Sequence, residues 1–312
     1  MPLLFAIAKT TKRRAFWLSY LSGFLFFLST LSWLVHVTLT GLIILCLYLA
    51  FYFAFFGYFF VGITKRMPAQ HLGTIIFLSC LWVLLEYLRG QFLTGFSWVL
   101  VGYSQYHNIA LIQFADITGA LGVSFVVVFV NLCAFALLQS FIKRDFTAAA
   151  KRVFGVIVVL LAVYSYGVYS LAKYSKHADK KPALRVALLQ GNVAQDQKWA
   201  SIFRAPIKAN YAALSREAAL DNPDLLIWPE TSYPDYIVDG DQGALDEIFD
   251  VVSDIERPLL FGAVLEAQEF YFNAAFLMTP TARPVQLYKK IHLVPFGEYI
   301  PFGFYRITNK EV

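Results

Sequence analysis

"YKKIHLVPFGEYIPF", residues 288–302, sets two lysines and a glutamate among aromatics and prolines. Upstream, "LLIWPET" (225–231) carries an apolar run that ends on Glu230. "LLIWPE" reads as a buried strand closed by Pro229, and "VQLYKK" (285–290) reads as a strand that ends on Lys290. In open α/β sheets, reactive groups collect just past the carboxyl ends of strands. That rule brings Glu230 and Lys290 into one candidate site, with Glu298 as a third ionisable group in an apolar frame. Taken singly, a glutamate after Trp-Pro can cap a helix, and a lysine at a strand end is commonly solvated. The combination is what points to chemistry.

The neighbouring sequence supports a layered α/β domain. "ALRVALLQGN" (183–192), rich in Val and Leu, reads as a buried strand. Residues 258–264 and 273–279 read as two more, giving five strands in all. Apolar residues at helical spacing predict helices over 201–220 and 241–255. The order is β-α-β-α-β-β-β, with no Gly-rich phosphate loop and no repeat.

The rest of the chain has a different character. Of its 312 residues, 58% are hydrophobic and 15% charged, against about a quarter charged in ordinary soluble domains. Residues 1–172 hold three acids (Glu86, Asp116 and Asp145) and eleven Lys/Arg, whereas 173–312 hold eighteen acids and fifteen Lys/Arg. The net charge of +5 therefore splits into +8 and −3. The basic excess is a membrane-topology signal and gives no pointer to nucleic acid. A spanning helix needs about 20 mostly apolar residues, which predicts five spans: 15–35, 42–63, 71–88, 114–140 and 153–172. The domains are then a transmembrane domain (1–172), a linker (173–182) and an α/β domain (183–312). "TKRR" (11–14), "TKR" (64–66) and "KRDFTAAAKR" (143–152) fall on one side of such a bundle, which the positive-inside rule assigns to the cytoplasm. Five crossings place the α/β domain outside. Within the loop 89–108, the aromatics Trp98, Tyr103 and Tyr106 fit either an interfacial belt or a surface lining a path for lipid. Glu86 and Arg89, three apart, have the spacing of an i,i+3 pair.

Three cysteines (Cys46, Cys80 and Cys133) lie in apolar runs without metal-ligand or disulfide spacing. No metal and no cofactor is expected. His292, two residues from Lys290, would share its strand face as a structural histidine.

"LLIWPET" with Glu230 and "LYKKIHLVPFGEYIPF" with Lys290 and Glu298 resemble the nitrilase-superfamily domain of the apolipoprotein N-acyltransferase family. "QGNVAQDQKW" (190–199) resembles that family's first strand and following loop. "LRGQFLTGFSWVLVGYSQ" (88–105) resembles its membrane signature, with Ser97 where a proline is expected, and "KRRAFWLSYLSGFLFFLSTLSWL" resembles one of its early helices.

The resemblance implies a polytopic helical membrane domain followed by a nitrilase-like α-β-β-α sandwich on the periplasmic face of a bacterial inner membrane. It implies an N-acyltransferase with a phospholipid donor, a diacylglyceryl-apolipoprotein acceptor and a Glu-Lys-Cys triad. The base falls on Glu230. The lysine, as oxyanion stabiliser, falls on Lys290, eight residues before the supporting Glu298. The family's nucleophilic cysteine lies beyond this point, so the chain is expected to be a fragment lacking both family ends and inactive alone. Trp199, Phe296, Tyr299, Pro301 and Trp98 are candidates for substrate contact. For the aromatics around the α/β site, ordinary core packing is an equal alternative. Two other readings stay open: a membrane-anchored carbon–nitrogen hydrolase, and a catalytically dead membrane scaffold.

Overall fold

The computed structural model describes residues 1–36, 38–68, 71–178, 182–194, 197–240, 243–268 and 270–294. The chain divides into two compact units, Met1–Lys180 and Lys181–Val312.

The first unit is helical: α1 (Pro2–Ile7), α2 (Lys12–Thr30), α3 (Leu39–Thr64), α4 (Leu72–Gln91), α5 (Ile109–Ile112), α6 (Ala115–Ile142) and α7 (Phe146–Ala178). Among the described residues, four helices are long and apolar enough to cross a membrane by length and composition: α3, α4, α6 and the stretch Arg152–Ser175 of α7. Of the five spans expected from sequence, this measure of length and composition leaves out the first. The first expected span is α2, 19 residues with Lys12, Arg13 and Arg14 in its opening turn, followed by a 3₁₀ turn over Ser32–His36. Those three cations shorten its uninterrupted apolar run. The polar stretch read as the start of a linker is helical as far as Ala178.

α2 and α3 pack through small residues. Ala15, Ser19, Gly23 and Phe27 recur every fourth position on α2 and are buried. They meet a face of α3 that includes Ala50, Ala54 and Gly57. A β-carbon on Gly23 would lie 2.7 Å from Phe53 Cβ, so its absence lets the backbones close up. Between membrane helices, where lipid is as apolar as leucine, such close approach supplies the packing energy. α2 turns Trp17, Leu21 and Leu25 outward.

α4 ends in a loop that its own charged residues hold down. Glu86 Oε1 accepts from Trp82 Nε1 at 3.0 Å and from the Val101 amide at 2.8 Å. Arg89 donates to the Trp98 carbonyl at 3.1 Å and the Val99 carbonyl at 3.4 Å. Both side chains are buried. The i,i+3 spacing therefore serves the loop: each residue reaches forward to backbone that no helix satisfies. Burial of two charges in this unit fits only with such internal partners.

Among the described residues, the second unit is built on one six-stranded sheet: β1 (Val186–Leu188), β2 (Leu225–Ile227), β3 (Tyr236–Val238), β4 (Leu259–Ala267), β5 (Phe270–Thr279) and β6 (Ala282–Lys289). The path is β1-β2-β4-β5-β6, and β3 also pairs with β4. The helices α8 (Arg204–Ala219) and α9 (Gly243–Ile255) connect the strands and pack on one face. Leu259, Phe261, Ala263, Leu265 and Ala267 alternate along β4 and are buried. Ile207, Tyr211, Ile248 and Val252 cover them from the helices.

Two expectations change here. β1 is not buried on both faces: Ala187 packs on the core, while Val186 and Leu188 are 38% and 77% exposed. Alternation in a strand sends neighbours to opposite faces, and an apolar composition alone does not say how many faces are covered. A sixth strand, β3, was also missed, because three residues in "DYIVDG" are too short to carry a period.

Candidate functional site

β2 and β3 share one edge of β4, since β5 occupies the other along its whole length. β2 pairs with Leu259 and Leu260, and β3 pairs with Val264 to Glu266. Between them the chain leaves the ladder over residues 228–235, and Glu230 sits at the apex. The departure is pinned on both sides. The Trp228 amide donates to the Leu260 carbonyl at 2.9 Å, and the Trp228 indole donates to Ser215 Oγ at 2.9 Å beneath α8. The Tyr233 amide and Ser232 Oγ both donate to the Gly262 carbonyl at 3.1 Å.

Gly262 makes this elbow possible. A β-carbon there would lie 2.6 Å from the Pro229 oxygen and the Thr231 nitrogen. Thr231 takes φ of 46°. A β-branched residue in the left-handed region is a genuine outlier, and such residues persist where surrounding contacts over-determine them.

Lys290 follows the last residue of β6. Its amide donates to the Asn273 carbonyl at 2.8 Å, and its ammonium lies 3.0 Å from Glu230 Oε1. Asn273 on β5 donates from Nδ2 to the same carboxylate oxygen. The Glu230 side chain is 62% exposed and that of Lys290 29%. The pair is open on the carboxylate side and backed by protein on the lysine side. Lys289 points elsewhere, its ammonium 4.1 Å from the centroid of the Phe272 ring.

The turn after β1 supplies one more cation. Lys198 Nζ donates to Thr231 Oγ1 at 2.6 Å and to the Glu230 carbonyl at 3.4 Å. Burial lowers the Lys198 pKa from its ordinary value, and the Glu230 charge opposes that shift. Next to it, Trp199 is 42% exposed and stacks on Tyr236 at 6.4 Å, which in turn meets Tyr271 at 5.2 Å. The ring of Trp199 is therefore not core packing but part of an exposed aromatic row.

The structure brings Glu230 and Lys290 together, with Trp199 on the same rim. Trp98 lies in the first unit, where it stacks on Trp33 at 5.0 Å and is 54% exposed. Glu298, Phe296, Tyr299 and Pro301 lie outside the described residues. His292 does not share a strand face with Lys290, because β6 ends at Lys289 and His292 falls in an exposed bend. Asn273 and Lys198 were missed by the sequence reading. Nothing local marks Asn273, whose register against β4 and β6 does the placing. Lys198 had a usable signal, since it lies past the carboxyl end of β1 beside Trp199.

Residues 1–133 match the family model described as the apolipoprotein N-acyltransferase N-terminal domain. An apolipoprotein N-acyltransferase of Geobacter metallireducens is 35% identical over 97% of this chain and 60% of its own length. Those of Brucella suis and Shewanella oneidensis are each 31% identical, over 90% and 92% of this chain and 54% and 56% of their own lengths. The chain thus spans somewhat over half the length of these curated relatives. Among solved structures, a crystal structure of an N-terminal amidase matches 36% of this chain and 28% of its own, at 15% identity and a TM-score of 0.28. The sheet order above rests on this chain's own strand pairing. Residues 1–133 are similar to the apolipoprotein N-acyltransferase N-terminal domain, and the chain resembles the apolipoprotein N-acyltransferases along nearly all of its length.

Proposed function

We propose that this chain belongs to a machinery that moves a fatty acyl chain from a phospholipid to the α-amine of a lipoprotein's diacylglyceryl-cysteine, with Glu230 as general base and Lys290 as oxyanion stabiliser. The observation that carries the reading is the 3.0 Å contact between Lys290 Nζ and Glu230 Oε1, past the ends of two separate strands. A carboxylate within reach of the thiol can take its proton. The thiolate attacks the ester carbonyl of the donor. Negative charge develops on the carbonyl oxygen, where Lys290 offers a fixed positive donor. Collapse breaks the ester bond, and Glu230 returns its proton to the lysophospholipid alkoxide. The thioester is then attacked by the acceptor amine, which loses its proton to Glu230. The amide forms, and the thiolate leaves and is reprotonated.

All three cysteines of the sequence, Cys46, Cys80 and Cys133, lie in the first unit. The thiol in this scheme is accordingly assigned to chain outside these 312 residues, and this chain by itself forms no acyl thioester. Glu298, which lies outside the described residues, is assigned the supporting role that the resemblance implies, either orienting the lysine or holding the charge balance. The site is assigned to the periplasm on five crossings from a cytoplasmic start, with α2 counted as the first. Donor and acceptor are both membrane-bound, which accounts for an α/β unit joined to membrane helices.

The test is to replace the Glu230 codon by glutamine in the source cell and to read lipoprotein N-termini by mass spectrometry. Loss of the amide-linked acyl chain supports the reading. Fully acylated lipoproteins in a strain whose sole copy carries Glu230→Gln would sink it and leave the scaffold reading.

A further inference from the structure

The elbow that presents Glu230 is held by β4 and also by the turn after β1. Thr231 sits at φ of 46°, a conformation a β-branched residue does not adopt unaided. Gly262 leaves room for it but does not fix the threonine side chain. The group that does is the ammonium of Lys198, 2.6 Å from Thr231 Oγ1 and 3.4 Å from the Glu230 carbonyl. We propose that Lys198 is a positioning residue for the Glu230 carboxylate, fastening the left-handed elbow through Thr231 and adding a second positive charge beside the base.

Three features support this. Lys198 reaches the elbow from a turn closed by its own backbone, its amide donating to the Ala194 carbonyl at 3.1 Å. Its long side chain is partly buried on the way, so the ammonium is directed and not free to wander in solvent. Its position is also linked to the exposed aromatic row, since the ammonium lies 5.9 Å from the centroid of the Trp199 ring. The electrostatic coupling with Glu230 acts on Lys198 against the effect of its burial, so the two groups sense each other's charge.

Around the carboxylate, β6 leads to Lys290, β5 supplies Asn273, the turn after β1 supplies Lys198, and β4 presents Gly262 beneath the elbow. A nearby opposite charge lowers a carboxyl pKa by about 1–3 units. Removing one of two cations should therefore raise the proton affinity of Glu230 measurably. The inference rests on the reading of Glu230 as a base, but its test does not use acyl transfer.

The experiment is a pH titration of the Glu230 carboxyl carbon in the whole protein labelled with 13C-glutamate, the signal being assigned by its loss in Glu230→Gln. Lys198→Met keeps the stem and removes the charge, and is expected to raise the midpoint by about one pH unit. Lys198→Arg keeps the charge and the donors and is expected to hold the midpoint within a few tenths of a unit. Thr231→Val keeps the charge and removes the acceptor, and is expected to shift the midpoint in the same direction by less. An unchanged midpoint in Lys198→Met, with thermal unfolding like that of the parent, overturns the proposal. An arginine variant that shifts as far as the methionine variant also overturns it, since charge is then not what matters. If Lys198→Met does not fold, Lys198→Arg and Thr231→Val decide: an unchanged midpoint in Thr231→Val removes the fastening role. Lipoprotein acylation that survives Glu230→Gln would end the acyl-transfer reading without touching these midpoints.

Discussion

A β-carbon on Gly262 would lie 2.7 Å from the α-carbon of Glu230. The strand β4 is thus bare at the one place where the Glu230 elbow rests on it. This contact explains how a glutamate can leave the sheet edge, stand proud of it, and let the chain rejoin the same edge six residues later as β3. It also gives a test of the elbow that leaves every ionisable group in place.

Gly262→Ala should disturb the elbow without changing its charge. The added methyl meets backbone, not the end of a flexible side chain, so the strain has no cheap outlet. The expected cost is about 1–3 kcal/mol, as for overpacking elsewhere. It would be read as a lowered unfolding temperature of the detergent-solubilised protein, with loss of the Glu230–Lys290 contact in a structure of the variant.

The two adjacent lysines separate cleanly. Lys290 lies on Glu230, while Lys289 lies over Phe272. Lys290→Met is expected to lower lipoprotein N-acylation about 10²–10³-fold, the usual scale for removing an oxyanion donor. Lys289→Met is expected to stay within a few fold of the parent. Mass spectrometry of lipoproteins from strains carrying each variant as the sole copy makes the comparison, and equal losses would contradict the assignment.

Stability at acid pH should depend on Glu247. Lys208 lies 2.7 Å from its carboxylate, and the Tyr233 hydroxyl donates to the same oxygen at 2.7 Å. The Lys208 ammonium, then the Tyr233 hydroxyl, hold the Glu247 carboxyl below its ordinary value, and burial opposes them. A depressed carboxyl pKa contributes stability that is present above the unfolded value of about 4.3 and lost as pH falls through the folded value. Glu247 is 57% exposed, so the contribution is about 1 kcal/mol or less after solvent screening. Glu247→Gln should therefore flatten the fall in unfolding temperature below about pH 4.3 while leaving the trend at pH 6–8 unchanged.

In the first unit, Glu86 satisfies two donors with one oxygen, the Trp82 indole and the Val101 amide. Glu86→Gln keeps a carbonyl oxygen for both. Glu86→Ala leaves each half-buried donor without its acceptor, at about 1 kcal/mol apiece. Proteolysis in membranes should cut the loop after α4 faster in Glu86→Ala than in Glu86→Gln or the parent. Equal rates would show that the carboxylate does not hold the loop.

The readable parts of the sequence were those governed by local rules. Long apolar runs with few charges mark α3, α4, α6 and α7 because lipid disfavours charged side chains, whatever the helices pack against. Helical spacing marks α8 and α9 because one face must be buried. Pro229 and the end of the "VQLYKK" run mark where two strands stop, and the position of reactive groups past strand ends follows from that. Composition did not settle whether α2 matches the other spans, since three cations in its first turn are a matter of where the helix starts.

What only the tertiary structure decided is which groups touch. The contact of Glu230 with Lys290 spans sixty positions in the chain. It depends on β4 carrying β2 and β3 on one edge and β5 on the other, a pairing that no local period encodes. The same pairing places Asn273 on the carboxylate, sets Gly262 under the elbow, and brings Lys198 across from a turn thirty-three residues before Thr231. Periodicity reports which face of an element avoids water. The partners on that face follow from strand order and register, which are set by packing over the whole sheet.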